Sequence, residues 1–169
     1  MSNILLVGSG AREVAIAKQI KKSNSPLSLF CVAPSTNPQI KALTTSYFEQ
    51  PLNENGVVVE IAKKLSIDLA IIGPEGPLEA GLVDALEKED ILCVGPRKNV
   101  ARIETSKAFA RNIIDLCDGE KNPERMEFSS LSGVRDFLKH LNGQYVIKYD
   151  GLMGGKGVKI SGEHLHSIE

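Results

Sequence analysis

The stretch Ile4-Leu5-Leu6-Val7-Gly8-Ser9-Gly10 decides the fold class of this 169-residue chain. Its continuous apolar run predicts a strand buried on both faces, and the glycines directly after the run predict a tight turn. Residues 11–22 then carry apolar side chains at the spacing of one helical face. A buried strand that passes through a glycine turn into a helix is typical of an α/β domain with a parallel sheet.

The same alternation continues along the chain as far as Gly95-Pro96. Apolar runs predict further strands over residues 27–32, 69–72 and 91–94. Helical periodicity predicts a helix over residues 78–89. Strands that are apolar throughout belong to parallel sheets whose two faces are both covered by helices. The sequence therefore predicts a doubly wound α/β domain.

The pattern changes beyond residue 96, where strands no longer alternate with single helices. The predicted elements are helices over 99–117 and 131–141, a short strand over 126–128, and strands over 145–148 and 158–160 that flank a glycine-rich loop. Two strands joined by a loop have the layout of a hairpin. We therefore predict a boundary near residue 100, with one domain over residues 1–100 and another over 101–169.

Composition and charge exclude several classes of function. The apolar fraction is 42%, the charged fraction is 24% and the formal net charge is −1, values that are ordinary for a soluble globular protein. So small a charge gives no long-range attraction to nucleic acid or to a membrane, and no apolar stretch approaches the ~20 residues that span a bilayer. The three cysteines lack paired spacing, which suggests buried thiols in a reducing compartment. We expect a cytoplasmic protein.

The first candidate site follows the first strand and includes Gly10, Arg12 and Glu13. Glycines let a ligand approach the backbone closely, and the N–H groups at a helix start suit an anion. A dinucleotide fingerprint would need glycine where Glu13 stands. We predict that Arg12 and Glu13 instead form a charged pair that faces a small polar substrate, with a purely structural turn as the alternative.

The second candidate is Glu75, in the turn Gly73-Pro74-Glu75-Gly76-Pro77-Leu78. This turn follows a predicted buried strand, and the carboxyl edge of a parallel sheet is where open α/β folds bind ligands. The alternative is that Glu75 is a solvated acid that complements the dipole of the following helix.

The third candidate is the glycine-rich loop within residues 145–158. Lys148 ends the strand before the loop, and Gly154-Gly155-Lys156-Gly157 lies within it. Glycine amides together with a lysine can close over a polyphosphate. The spacing is not that of a Walker loop, and a flexible surface hairpin is the alternative. The histidines and cysteines lack the spacing of metal ligands.

Taken in order, the motifs of this chain resemble those of the phosphoribosylamine–glycine ligase family of the ATP-grasp superfamily. The matching stretches are residues 8–15, 73–78, 95–96, 106–109 and 147–158. Within the first stretch, Ala11 stands where the family has glycine and Val14 where it has histidine. The loop over residues 34–37 also lacks the usual Pro-Gly-Asn.

The resemblance implies a doubly wound N-terminal (pre-ATP-grasp) domain followed by the incomplete start of an ATP-grasp domain. It also implies ligation of glycine to 5-phosphoribosylamine with ATP, giving glycinamide ribonucleotide through glycyl phosphate in purine biosynthesis. The implied ATP-binding residues are Lys107, Lys148, Gly154, Gly155, Lys156 and Gly157. The implied amine-substrate residues are Gly10, Arg12, Glu13 and Glu75. Mg²⁺ is expected as a cofactor with ligands beyond residue 169, so we expect this chain to be inactive by itself.

Several alternatives remain open. Another ATP-grasp ligase, such as a biotin-carboxylase-like or carboxyaminoimidazole-forming enzyme, would share the architecture, but the turn at residues 73–78 disfavours it. A non-catalytic nucleotide-binding or assembly module would fit a chain of this length. A Rossmann dehydrogenase is disfavoured by Glu13. The sequence defines neither the oligomeric state nor the nucleotide preference.

Overall fold

A computed structural model describes residues 2–118 and 122–167 of the chain. The chain divides into two compact units, Met1–Arg102 and Ile103–Glu169. The assignment of residues 1–100 to a pre-ATP-grasp domain and of 101–169 to the start of an ATP-grasp domain stays a prediction. Within the second range, residues 119–121, 168 and 169 lie outside the described residues. None of the helices in the described ranges is long and apolar enough to cross a membrane.

The first unit alternates strands with helices. Its strands are β1 Ser2–Val7, β2 Leu27–Ala33, β3 Ser46–Glu49, β4 Leu69–Ile72 and β5 Leu92–Val94. Its helices are α1 Ala11–Ile20, α2 Pro38–Lys41, α3 Asn55–Lys64, α4 Glu75–Ala80 and α5 Leu82–Glu87, and α6 Lys98–Thr105 follows β5. The strands form one five-stranded parallel sheet in the order β3-β2-β1-β4-β5. The predicted α/β fold with a parallel sheet is confirmed.

Hydrophobic cores lie on both faces of this sheet because successive residues of a strand point in opposite directions. Leu5 and Val7 of β1 pack on one face together with Val58 of α3. Leu6 packs on the other face together with Ala17 of α1. Burial of a large aliphatic side chain contributes about 1.5–3 kcal/mol. The covering helices therefore hold the carboxyl ends of the strands in a fixed arrangement.

The helix predicted over residues 78–89 is wrong as a continuous element because the chain breaks at Gly81. This glycine has φ +86°, in the left-handed region, where it ends α4 and precedes α5. A side chain with a Cβ would cost ~1–2 kcal/mol in that conformation. The apolar periodicity continues across the break, since Leu82 and Leu86 are fully buried.

The helix predicted over residues 99–117 is also divided, at Ser106, and the edge strand β3 was not predicted. The hydroxyl of Ser106 accepts a hydrogen bond from Phe109 N at 3.1 Å, so this serine caps a new helix. β3 lies at the edge of the sheet beside β2 and is half-buried, so its sequence lacks the apolar run that identifies a central strand.

The second unit contains α7 Lys107–Asp118, α8 Val134–His140 and the strands β6 Val146–Lys148 and β7 Val158–Ile160. β6 and β7 pair in antiparallel orientation, which confirms the predicted hairpin. The strand predicted over residues 126–128 is wrong, because these residues have no regular structure. Phe128 instead packs on Phe137 of α8, with ring centroids 6.0 Å apart.

Candidate functional site

The loops that follow β1, β2 and β4 gather at the carboxyl edge of the parallel sheet. β1 is central: the chain continues from it to β2 on one side, and β4 is its neighbour on the other. Such a reversal is the topological switch point at which open α/β sheets bind ligands. Gly10 directly precedes α1, Arg12 and Glu13 lie in the first turn of α1, and Glu75 begins α4. The structure therefore brings these candidates to one edge.

Glu13 is buried at this edge, with only 4% of its surface exposed. Its Oε2 accepts a hydrogen bond of 2.6 Å from Gly10 N, at the start of α1. Its other oxygen lies against Gly73, where an added Cβ would be 1.9 Å from Glu13 Oε1. That Arg12 and Glu13 form a charged pair facing a substrate stays a prediction, and the Glu13 side chain itself lies inside the fold. Adjacent residues of a helix point in different directions and do not face each other.

Arg12 instead connects α1 to the turn after β4. Its Nη1 donates to the carbonyl oxygen of Gly73, and its Nη2 lies 3.0 Å from Glu75 Oε1. The backbone N–H of Glu75 itself and then the Arg12 guanidinium hold the pKa of the Glu75 carboxyl below its ordinary value. The side chains of Arg12 and Glu75 are 60% and 40% exposed. They present a cation and an anion to solvent at the switch point.

The loop after β2 joins the same edge through residues that were not predicted as site residues. Asn37 Nδ2 donates to Ser9 O at 2.8 Å, while Asn37 Oδ1 accepts from Gln39 N and caps α2. The hydroxyl oxygens of Ser9 and Ser35 are 3.3 Å apart. Asn followed by Pro38 is a recognisable start of a helix, so Asn37 could have been identified as a cap. Its long-range bond to Ser9 had no such indication.

The second unit carries the other candidate site, where Asp150 connects the start of α7 to the glycine-rich loop. Asp150 Oδ1 accepts from Lys107 N at 2.6 Å and from Ala108 N at 3.2 Å, and Oδ2 accepts from Ser106 Oγ at 2.9 Å. Burial alone would raise the pKa of Asp150, but these hydrogen bonds and the Lys107 ammonium hold it below its ordinary value. Lys107 Nζ donates to Gly151 O at 2.8 Å. The N-terminus of α7 is thus already satisfied by a carboxylate of the protein.

The loop beyond Asp150 has an open glycine backbone. Gly154 and Gly155 have φ of +54° and +78°, and a Cβ on either would meet nothing within 4 Å. Lys148 and Lys156 are exposed, and Lys156 N donates to Met153 O at 3.0 Å, which closes a turn. Gly157, by contrast, leaves no room for a Cβ, which would lie 2.8 Å from the side chain of Met153. Lysines beside an open glycine turn fit the phosphates of a nucleotide.

A Mg²⁺ ion in a protein is held by oxygen ligands, among them carboxylates. Among residues 2–118 and 122–167, no group of three or more His, Cys, Asp or Glu side chains could hold a metal ion.

Comparison with solved structures shows which proteins share this fold. The chain is similar in fold to N5-carboxyaminoimidazole synthetase from Staphylococcus aureus complexed with ADP, with a TM-score of 0.77, 12% identity, and coverage of 95% of this chain and 41% of that chain. It is also similar to phosphoribosylglycinamide synthetase from Anaerococcus prevotii, with a TM-score of 0.65, 15% identity, and coverage of 95% and 38%. Identities this low show the fold alone. The α/β architecture of this chain is thus shared with parts of these two synthetases.

Sequence comparison shows the family to which the chain belongs. The family described as "Phosphoribosylglycinamide synthetase, N domain" matches residues 2–104, and the chain belongs to it. The chain is 44% identical over 163 residues to "Phosphoribosylamine--glycine ligase" of Methanococcoides burtonii. That match covers 96% of this chain but 38% of the relative, so the chain spans well under half the length of the protein it matches. The predicted relation to the N-terminal part of such a ligase is confirmed.

Proposed function

We propose that this chain supplies the N-terminal part of an ATP-dependent phosphoribosylamine–glycine ligase. The observation that carries the proposal is the 44% identity, over 96% of the chain, to a protein named for that activity. The two sites described above support it. One presents Arg12 and Glu75 at the ligand edge of a parallel sheet, and the other presents lysines beside an open glycine turn.

The proposed reaction has two steps. A carboxylate oxygen of glycine attacks the γ-phosphorus of ATP, which forms glycyl phosphate and releases ADP. The amine of 5-phosphoribosylamine then attacks the carbonyl carbon of glycyl phosphate. Phosphate leaves, the nitrogen loses a proton, and the new amide is that of glycinamide ribonucleotide. Fixed cations and backbone donors accelerate such steps by stabilising charge that develops on phosphate oxygens.

For the nucleotide we propose Lys107, Lys148 and the loop Gly154-Gly155-Lys156-Gly157. An ammonium group has three N–H donors, so Lys107 can hold Gly151 O and a phosphate oxygen together. Open space around Gly154 and Gly155 suits backbone amides that close over a polyphosphate. Mg²⁺, when bound, would supply positive charge that neutralises the nucleotide phosphates. We propose that its ligands come from another part of the ligase.

For the amine substrate we propose the edge formed by Gly10, Arg12 and Glu75. Arg12 offers donors that suit phosphate or hydroxyl oxygens of a sugar phosphate. Glu75, whose pKa is held low, offers an ionised acceptor for hydroxyl or amine protons. Glu13 belongs to the same site but supports Gly10 from inside the fold.

A chimera tests the proposal. Residues 1–169 would replace the matching segment of the M. burtonii ligase, and ADP formation would be measured with glycine, phosphoribosylamine and Mg²⁺. We expect glycine-dependent turnover by the chimera and none by this chain alone. Turnover by the isolated chain, or an inactive chimera that folds and binds ATP like the unmodified relative, would contradict the proposal.

Lys148→Ala in the chimera tests the nucleotide site. Loss of a charge-assisted hydrogen bond to phosphate costs ~1.5–3 kcal/mol, so the KM for ATP should rise about tenfold to a hundredfold. The KM for glycine should change little. Lys139→Ala, at the exposed end of α8, is the matched control. Equal rises in both KM values would argue against the assignment of Lys148.

A further inference from the structure

Two glycines, Gly10 and Gly73, lie against the buried side chain of Glu13. Glycine turns at the carboxyl edge of a parallel sheet usually let a ligand phosphate approach the backbone. We propose that Gly10 and Gly73 instead make room for the protein's own Glu13, which serves as a built-in anion and positioning residue. Its role toward the amine substrate rests on the proposed function, whereas its place in the fold does not.

The distances around Glu13 carry this inference. An added Cβ on Gly73 would have only Glu13 atoms as its three nearest neighbours: Oε1 at 1.9 Å, Cδ at 2.6 Å and Cγ at 2.9 Å. An added Cβ on Gly10 would meet only Glu13, with Oε2 at 2.8 Å. The Glu13 side chain thus fills the space beside Gly10 and Gly73. A residue with a Cβ at either position would have to displace it.

Backbone conformation does not explain these two glycines. Gly10 has φ −81°, which every residue type adopts, and Gly73 is not among the residues with positive φ. Gly8 differs, because its φ of +117° already favours glycine, although an added Cβ there would also lie 3.0 Å from Glu13 Cδ. The reason for glycine at positions 10 and 73 is therefore the space that the Glu13 side chain occupies.

The built-in anion has two chemical consequences. Glu13 Oε2 already accepts from Gly10 N and places negative charge at the positive end of α1, where a dinucleotide pyrophosphate would otherwise lie. The same side chain packs on Gly73, whose carbonyl oxygen accepts from Arg12. Glu13 therefore sets the position of the Gly73 turn and, through it, the position of the Arg12 guanidinium.

A double-mutant cycle on this chain tests the space argument. Insertion of a methyl group into a filled site costs ~1–3 kcal/mol, so Gly73→Ala should lower the thermal midpoint by about 5–15 °C. In the Glu13→Ala background the same substitution should lower it by less than about 2 °C, because its clashing partner is gone. Gly56→Ala, where an added Cβ meets nothing within 4 Å, is the matched control and should have the same effect in both backgrounds. An equal cost of Gly73→Ala in both backgrounds would overturn the inference.

Chemical rescue supplies a second measurement if Glu13→Ala is poorly folded. Formate, a free carboxylate, should raise the thermal midpoint of Glu13→Ala in a saturable manner and should leave the wild-type chain unchanged. Sodium chloride at equal ionic strength is the control. Absence of rescue, together with absence of coupling in the cycle, would refute a built-in anion.

The positioning role is measured separately in the chimera. Glu13→Ala should raise the KM for phosphoribosylamine while leaving the KM for ATP unchanged, and Glu13→Gln, which keeps an acceptor for Gly10 N, should restore part of the loss. A chimera without ligase activity would contradict the proposed function, but the result of the double-mutant cycle would still stand. An active chimera would leave the proposed function in place, and this inference alone would then be contradicted if Gly73→Ala and Glu13→Ala showed no coupling. An unchanged KM for phosphoribosylamine in Glu13→Ala would likewise contradict this inference alone.

Discussion

Replacement of Asp150 by alanine should detach the start of α7 from the glycine-rich loop. The substitution removes the acceptor of Lys107 N, Ala108 N and Ser106 Oγ. Loss of a helix cap costs ~0.5–2 kcal/mol, and loss of negative charge at a helix start costs a further ~0.3–1 kcal/mol. Ser106 Oγ still accepts from Phe109 N, which limits the loss. We therefore expect Asp150→Ala to lower the free energy of unfolding of the second unit by about 1–2 kcal/mol.

Hydrogen exchange followed by mass spectrometry measures this effect at the residues concerned. In Asp150→Ala, exchange should accelerate about fivefold to thirtyfold in peptides that cover the start of α7 and Gly151, since 1–2 kcal/mol corresponds to such a factor. The matched control is Asp84→Ala, because Asp84 Oδ2 accepts from Lys98 N at 2.8 Å and caps α6 in the same long-range manner. That variant should accelerate exchange at the start of α6 and leave α7 unchanged.

The pH dependence gives a further check on Asp150. Because its pKa is lowered from an ordinary value of 3.8, the carboxylate stabilises the fold above that value, and the contribution is lost as pH falls through the folded pKa. Exchange at the start of α7 in the wild-type chain should therefore approach that of Asp150→Ala in acid, after correction for the intrinsic rate. Unaltered protection of Lys107 and Ala108 in Asp150→Ala would refute the capping argument.

Three further outcomes are expected. Gly81→Ala should lower the free energy of unfolding by ~1–2 kcal/mol in a urea titration, because φ +86° is strained for alanine; an unchanged midpoint would contradict this. Glu75→Gln should weaken the fall of the thermal midpoint between about pH 5 and 3, because the lowered pKa makes ionised Glu75 stabilising above its ordinary value and that contribution disappears in acid; an identical pH profile would exclude it. A thiol reagent at about pH 8 should modify exposed Cys117 first and buried Cys31, whose pKa burial raises to about 12, only on unfolding; mass spectrometry that finds Cys31 labelled in the folded chain would refute its burial.

The fold was largely predictable because burial on both faces leaves a strong mark on a strand. The strand over Leu69–Ile72 was predicted at its observed bounds, since every residue in it is apolar. The edge strand Ser46–Glu49 left no such mark, because an edge position is half-buried and tolerates polar residues. Gly81 broke a helix without disturbing its apolar spacing, so only the backbone angle reveals the break.

The candidate site was predictable as a set of positions but not as a set of contacts. The place of Glu75 after a buried strand correctly indicated its position at the carboxyl edge of the sheet. The ion pair of Arg12 with Glu75 was not predicted, because it joins residues 63 positions apart. The bond between Ser106 and Asp150 spans 44 positions, a separation over which no local pattern carries information.

The two-stranded ribbon of β6 and β7 joins only three residue pairs and leaves Val146 and Ile147 about half exposed. A ribbon of this size is marginally stable in water, whereas the central strands of a larger sheet open only when the whole domain unfolds. We therefore expect the two strands that flank the glycine-rich loop to open locally far more often than the five-stranded sheet. A ligand that binds the loop should reduce these opening motions. Slower hydrogen exchange of the amide protons in β6 and β7 would therefore report binding without any need for turnover.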